Sequence, residues 1–359
     1  MRVMQILLSQ SQAGAETYFE KVAAAIAQDP SITQKVVIEA LPPREQRLDN
    51  AGVDYFTLPM GKLSKPLLYD WKLKSIVRDF KPDLIVTWVN RASRKCPPTS
   101  AVVVGRLGGY YDLKNYQKCD HLIVNTQDLV RHVTDNGWPA DHVSMISNFG
   151  ELPSRLSVPA PKPVIPEGHR VLLALGRLHE KKAHDTLIKA LPDIPDTTLL
   201  IAGTGELQGQ LEQLAEELQV SDRVQFLGLR KDIQELFDLT DVCVFPSRFE
   251  PLGNVVLEAW ATRTPIVAAA SQGPSWLITD GEDGRLFEVD SSTECARAVN
   301  QVLADDGLAR RLAENGHRVF LERFSKDVIV DQYKALFQRL VNERQARASN
   351  PADQPGSPT

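Results

Sequence analysis

The stretch that most constrains this chain runs from Asp241 to Ala268. Asp241-Val-Cys-Val-Phe245 is a short apolar run, of the kind that forms a strand buried on both faces of a parallel sheet. A Pro-bearing loop follows, then a helical segment from about Gly253 to Thr262 with Val255, Val256, Ala259 and Trp260 at apolar helical spacing. Thr264-Pro265 stops that helix, and Ile266-Val-Ala268 opens the next strand. Two strands joined through a helix make a parallel β-α-β unit, so the chain is an α/β protein.

Two carboxylates bracket this helix, Glu250 in the loop and Glu258 inside the helix. A helix start offers unpaired N–H groups and a positive dipole end, and Gly253 lets a ligand come close to the backbone. A phosphate fits such a place. Eight helical residues span roughly 12 Å. That layout suits a nucleoside diphosphate-sugar: one carboxylate takes hydroxyls of the hexose, the other those of the ribose, and the phosphates lie between. For either Glu alone, a solvated surface charge is the commoner reading.

The stretch resembles the E-x7-E motif of retaining glycosyltransferases of family 4, which have the GT-B fold. Glu250 and Glu258 occupy its acidic positions, and Gly253, Glu258-Ala259 and Pro265-Ile-Val267 match as well, while Arg263 stands where many members have Gly. The resemblance implies two doubly wound, Rossmann-like domains facing a central cleft. It places Leu252, Gly253, Asn254 and Glu258 against the donor and makes Glu250 a catalytic residue that orients the sugar.

A second turn carries paired cations. Arg177 and Lys182 flank the turn after the Arg170–Leu175 strand, where a guanidinium fork and a point charge suit a diphosphate. Gly176-Arg-Leu-x-x-x-Lys182 resembles the family's phosphate clamp, with Ala183 in the usual Gly position. Both cations are therefore assigned a catalytic role, stabilising the leaving group. Gly203-Thr-Gly205 reads equally as a donor-side turn or a tight turn held by glycine. Gly228 and Leu229 match the place where the family holds the nucleobase.

The alternation of strands and helices occurs twice. Strand signals in the first half lie at Val3–Leu8, 35–39, Tyr55–Leu58, 83–88, 101–105, His121–Val124 and 142–146. The boundaries expected are 1–150 for an acceptor-binding domain, 151–168 for a linker with five prolines, and 169–325 for a nucleotide-sugar domain. A helix over 326–344 returns to the first domain by resemblance, and a disordered tail covers 345–359. The turn Ser9–Thr17 has one glycine and is not a dinucleotide fingerprint. It resembles the family's G-G-x-E turn with Ala13 in the first Gly position, which puts Gly14 near the donor phosphate or the acceptor; a plain strand-to-helix turn is the alternative. Arg91, Arg106 and Tyr110 are the acceptor-side candidates. Gly108 stands where many relatives have a His that touches the sugar.

Composition narrows the partners. The net charge of −5 hides an asymmetry, with 10 basic and 3 acidic residues between Lys62 and Arg106. Lys62 to Lys74 interleaves four lysines with Leu63, Leu67, Leu68, Tyr69, Trp71 and Leu73, which suits an anionic membrane surface. The alternative is that Leu68 and Trp71 are the core side of a helix. No run of about 18 apolar residues exists. The four cysteines have no metal-ligand spacing, so buried or free thiols in a reducing cytoplasm are expected. No cluster of carboxylates suits a dedicated metal, so no essential divalent ion and no cofactor are expected.

The function expected is transfer of a hexose-type sugar from a nucleotide-sugar to a glycan or glycolipid acceptor. Asn90-Arg-Ala92, the Gly108–Lys114 stretch and Gly137-Trp-Pro139 resemble bacterial enzymes of lipopolysaccharide and related surface polysaccharides. No nucleic-acid partner is expected, and the location is cytoplasmic, peripheral on the inner face of the membrane. Two rivals share the fold. A nucleotide-sugar 2-epimerase needs several acid/base carboxylates and histidines that are not obvious here, and a non-catalytic binding subunit would lack the Arg177/Lys182 clamp.

Overall fold

Among the described residues every strand pairing is parallel, as apolar runs without polar alternation require. The computed structural model describes residues 1–12, 14–59, 66–150 and 161–349. The chain divides into two units, residues 1–148 with 329–359, and residues 149–328.

The first unit holds strands β1 (Arg2–Leu7), β2 (Thr33–Glu39), β3 (Tyr55–Leu58), β4 (Leu84–Trp88), β5 (Val102–Leu107), β6 (His121–Val124) and β7 (Val143–Met145). Their spatial order is β3-β2-β1-β4-β5-β6-β7, so the order reverses between β1 and β4, where Val3 pairs Leu84 and Leu7 pairs Trp88. In such a sheet, ligands bind outside the carboxyl ends at that switch point. β4 is buried along its whole length. Helix Gln127–Asp135 shows how local sequence fixes an element. Thr126 caps its start, its hydroxyl accepting from the Leu129 amide at 3.3 Å. Gly137, at φ +89°, closes its end, with Trp138 N–H donating to Val133 O and Gly137 N–H to Thr134 O.

Two helices of this unit escaped the sequence reading. Pro42–Asn50 reads Pro-Pro-Arg-Glu-Gln-Arg-Leu-Asp-Asn and has no apolar period, but its prolines sit at the helix start, where they cost nothing. It is held instead by charge. Arg44 is fully buried, bonds Glu20 at 2.9 Å and the Ser11 carbonyl at 2.6 Å, and so fixes the turn after β1. The seven-residue helix Val89–Lys95 begins directly at the end of β4, with Val89 forced to φ +61° to make the reversal.

Helix Lys326–Ser349 extends past the expected end at 344, so Gln345–Ser349, expected in a disordered tail, are helical. It buries Ile329, Tyr333, Leu336, Phe337, Leu340 and Val341. Within the first unit, Tyr333 accepts from Arg106 at 3.2 Å, Lys334 pairs with Asp29 at 2.7 Å, and Arg344 with Asp120 at 2.6 Å. The Lys334 bond holds the Asp29 carboxyl down to about 2.

The second unit holds β8 (Arg170–Leu175), β9 (Thr197–Ala202), β10 (Val224–Gly228), β11 (Val242–Phe245), β12 (Ile266–Ala269) and β13 (Arg285–Phe287), ordered β10-β9-β8-β11-β12-β13. Its switch point lies between β8 and β11, paired at Leu172↔Val242 and Leu173↔Cys243. The described part of the Pro-rich segment is not a free linker. Val164 N–H bonds the Gln225 side chain at 3.1 Å and Pro161 O accepts from Arg230 at 3.0 Å, both partners lying on this unit. All four cysteines are buried and free. No helix among the described residues is long and apolar enough to cross a membrane.

Candidate active site

At the carboxyl edge of the second sheet, over the β8/β11 switch point, lies a pocket of about 830 Å³, within the usual range for small-molecule sites. It gathers side chains from four turns: Arg177 and Lys182 after β8, Gly203 to Glu206 after β9, Leu229 and Arg230 after β10, and Glu250, Asn254, Val255 and Glu258 after β11. Of the candidates for this unit, Leu252 is buried, and Leu252, Gly228 and Gly253 do not line the pocket.

The two cations differ in state. Arg177 is 68 % exposed, its fork held at 3.2 Å by Glu206, and is open to an incoming anion. Lys182 is paired with Glu250 and lies over the Phe245 ring, 5.3 Å from its centroid. The Lys182 and Glu250 side chains are 27 % and 15 % exposed, so this pair is partly shielded from water. Ala183, next in the chain, takes the left-handed conformation (φ 51°, ψ 36°) that the usual Gly adopts freely. His184 is buried with its ring facing the Gly176 and Arg177 backbone, and neither ring nitrogen closes a hydrogen bond of good geometry. Burial pushes it down to about 4, so it stays neutral beneath the cationic turn.

One residue that sequence reasoning missed joins the two turns. Arg248 bonds both carboxylate oxygens of Asp185 at 2.9 and 2.8 Å, donates to the Glu180 carbonyl at 2.8 Å, and pairs with Asp290. Its own N–H donates to Lys181 O at 2.9 Å. The loop bearing Glu250 is therefore pinned to the turn bearing Lys182. The signal was present as an Arg two residues before Glu250, but its partner Asp185 lies 63 residues away in the chain.

Helix Asn254–Ala261 starts at Gly253, whose φ of +96° turns the chain from loop to helix. Its buried face is Val256, Leu257, Ala259, Trp260 and Ala261, and Val255, at an apolar helical position, packs partly against the same core while also lining the pocket. Glu258 lies one turn deeper, half-buried and close enough to add to the effect of burial in raising the Cys243 thiol. The turn glycines have a packing reason. A Cβ on Gly203 would stand 1.8 Å from Gly176 O, and one on Gly205 2.2 Å from Leu178 O. Two backbones meet there, so these glycines hold the β8 and β9 turns together. Leu229 is 76 % exposed at the rim, an apolar platform beside Gly228.

The first unit treats its candidates differently. Arg106, expected to touch an acceptor, is 4 % exposed. It bonds Asn148 at 2.8 Å, Tyr333 at 3.2 Å and the Leu107 carbonyl, and stacks between Tyr18 and Trp88 at 5.4 and 5.6 Å. It lies inside a buried strand and serves as an internal strut. Arg91 pairs with buried Glu39 at 2.6 Å and lies over Tyr69. Tyr110 is 40 % exposed and its hydroxyl bonds Asp128; burial and that carboxylate push it up to about 12. Gly14 opens the first helix with nothing within 4 Å of where a Cβ would stand. A Cβ on Gly108 would meet its nearest atom, on Arg106, at 3.6 Å, so a side chain fits there. Ala13 lies outside the described residues.

Residues 160–319 match the family described as glycosyl transferases group 1. Over 331 residues the chain is 35 % identical to the lipopolysaccharide core biosynthesis glycosyltransferase LpsE of Rhizobium meliloti (strain 1021), covering 90 % of this chain and 95 % of that protein. It is 31 % identical over 346 residues to LpsD of the same strain, also a lipopolysaccharide core biosynthesis glycosyltransferase, covering 96 % and 100 %. Anabaena Alr3699/HepE, solved in complex with UDP and glucose, shares the fold at a TM-score of 0.77 and 21 % identity, over 94 % of this chain and 100 % of that one. Two parallel Rossmann-like sheets of this kind define the GT-B glycosyltransferase fold. The chain belongs to the group 1 glycosyl transferases.

Proposed function

We propose that this glycosyltransferase is a retaining, family 4 enzyme. It moves a hexose from a nucleotide-sugar to a glycan or glycolipid acceptor, in building lipopolysaccharide or another surface polysaccharide. The observation that carries the reading is the convergence of Arg177, Lys182, Glu250, Glu258 and the first turn of helix Asn254–Ala261 on one pocket at the switch point. The names of the Rhizobium relatives support the acceptor class, and the UDP and glucose bound to the Anabaena protein support the donor class.

Each group then has a task. The diphosphate rests on the helix start and draws Lys182 away from Glu250, which is freed to accept sugar hydroxyls. The acceptor hydroxyl oxygen forms the new bond to the sugar's anomeric carbon as the bond from that carbon to the diphosphate breaks; the diphosphate keeps both electrons of the broken bond and takes up the hydroxyl proton. Arg177, Lys182 and the Gly253–Asn254 backbone stabilise that charge in place before it develops. Glu258 takes the ribose hydroxyls, and Leu229 and the Gly228 backbone flank the base. Gly203 and Gly205 shape the donor side, Gly14 meets the donor phosphate or the acceptor, and Arg91 and Tyr110 face the acceptor. No metal or cofactor has a part. The test is release of nucleoside diphosphate from a panel of nucleotide-sugars, with and without acceptor, and proton NMR of the product. An inverted anomeric configuration overturns the retaining assignment; no release with any donor and acceptor overturns the transfer reading.

The proposal includes an anionic membrane at the inner face as a partner. On helix Pro66–Phe80 the core side is Tyr69, Leu73, Ile76, Val77 and Phe80. Leu68 and Trp71 are 59 % and 62 % exposed, so the alternative that they face the core fails. Lys62, Leu63 and Lys65 lie outside the described residues. Co-sedimentation with anionic vesicles should fall at high salt and in a Leu68→Ser/Trp71→Ser variant; equal binding to neutral vesicles overturns the docking.

A further inference from the structure

The first unit contains a second cavity that the donor site does not use. It has a volume of about 570 Å³, lies between helices Pro66–Phe80 and Val89–Lys95, and is lined by Lys74, Arg91, Arg94, Lys95, Lys118 and one acid, Asp70. Its cations are arranged rather than scattered. Lys118 donates to the Arg94 and Cys96 carbonyls at 2.7 and 3.0 Å, closing the end of the short helix. Lys95 is held at 2.9 Å by both oxygens of Asp70. Arg91 is aimed by buried Glu39 at the end of β2. Lys74 and Arg94 are exposed and make no ion pair among the described residues. Five cations against two carboxylates, Asp70 in the wall and Glu39 behind Arg91, leave a net positive concavity, and concave walls concentrate such a field. Arg91 also lies within one turn of the carboxyl end of β4, at the switch point of the first sheet, where open α/β sheets bind ligands. Val89 is held at φ +61°, a conformation that β-branched residues rarely adopt, to set the helix that carries Arg91, Arg94 and Lys95.

We propose that this pocket binds a phosphate ester, carried by the acceptor glycan or by a lipid headgroup. Identification of the carrier as the acceptor rests on the transfer reading above; the phosphate site itself does not. Lys74 and Arg94 supply the unspent charge, Arg91 the fixed fork, and Lys95 and Lys118 hold the walls.

The test is calorimetric titration of the full chain at low salt with glucose 6-phosphate, and with glucose as the uncharged control. Parallel sedimentation uses phosphatidylglycerol and phosphatidylcholine vesicles. Glucose 6-phosphate should bind where glucose does not, and Lys74→Gln/Arg94→Gln should weaken it about tenfold or more, the scale of one or two charge-assisted hydrogen bonds. Both substituted side chains are exposed, and a melting curve confirms that the variant folds. Leu68→Ser/Trp71→Ser should leave sugar-phosphate binding unchanged. Binding of phosphatidylglycerol vesicles lost in the charge variant, with no response to glucose 6-phosphate, supports the site with lipid as the carrier. Loss of sugar-phosphate binding in Arg177→Ala but not in the double variant places the phosphate in the donor pocket and overturns the proposal. So does the absence of any phosphate-dependent binding. A chain that transfers sugar normally yet shows neither response refutes this pocket and leaves the transfer reading standing.

Discussion

Arg177 and Arg106 both lie near the carboxyl end of a central strand, one in each unit, yet they lead opposite lives. Arg177 sits in the turn beyond β8, is 68 % exposed and touches one surface carboxylate. Arg106 is the fifth residue of the six-residue β5, is 4 % exposed and has its fork taken by Asn148, Tyr333 and a carbonyl. The difference is one of backbone position. A side chain in a strand of a two-faced parallel sheet points into protein whatever its chemistry, and a charge there must be fully bonded. A side chain in the turn beyond the edge reaches solvent and ligand. An arginine comes to line the pocket by standing past the end of the strand.

The sharpest way to break this contrast is to remove the exposed clamp. Arg177→Ala and Lys182→Ala should each lower turnover by about 10²–10³-fold with the fold intact, the scale for one preorganised electrostatic donor. Wild-type turnover in both variants, measured with any competent donor and acceptor, would remove the clamp from the mechanism.

A second comparison uses one buried histidine from each unit. Burial pushes both His121 and His184 down to about 4 from 6.5. The unfolded chain takes up these protons as pH falls through 6.5, whereas the folded chain resists until about 4. Stability is therefore fully present above 6.5 and declines across that window. For His184 the decline amounts to about 3 kcal/mol at most. Urea midpoints measured from pH 7 to pH 4.5 should flatten in His184→Gln; an unchanged slope would mean that the imidazole protonates in place.

For the strut, Arg106→Leu should cost about 2 kcal/mol of first-unit stability, because Asn148 and Tyr333 lose a buried partner. An unchanged melting curve with a raised acceptor KM would return Arg106 to the acceptor site. In the second unit's pocket, Glu258→Ala should weaken nucleotide-sugar affinity about tenfold at constant stability if the proposed donor site is right. Unchanged affinity in calorimetry would detach Glu258 from the ribose. The smallest effect is expected at Ala183→Gly. It relieves a left-handed alanine but adds chain entropy to the unfolded state, for a net gain of about 0.5 kcal/mol. A loss of stability there would show that the alanine methyl, which is buried, packs too well to give up.

What the sequence revealed depended on period and spacing. Strands such as Tyr55–Leu58 and His121–Val124 were legible to the residue because short runs rich in aromatic and β-branched residues between turn signals have few other uses. In the second unit's pocket Arg177, Lys182, Glu250 and Glu258 were legible because turn position and motif spacing agreed, whereas Glu206 and Arg230 belong to no motif and were not. Pro42–Asn50 was not legible, since a helix held by a buried Arg44–Glu20 pair leaves no apolar stripe to read. Arg248 was hidden for a related reason: its meaning comes from Asp185 and Asp290, brought beside it only by the sheet. Leu68 and Trp71 had the right spacing for a core face, and the competing Tyr69-Leu73-Ile76 stripe took it instead.

The helix Lys326–Ser349 has a consequence for how this protein is made. Residues 329–349 complete the unit built from residues 1–148, and the entire other unit is encoded between them. At roughly 5–20 residues per second, translation of the intervening chain takes on the order of ten seconds or more. Throughout that interval the nascent first unit lacks the tyrosine that Arg106 bonds and the side chains that cover Asp29 and Asp120. The half that leaves the ribosome first is thus the half that finishes folding last. A premature stop near residue 325 would spare every lining residue of the second unit's pocket while leaving the first unit without the helix that completes it.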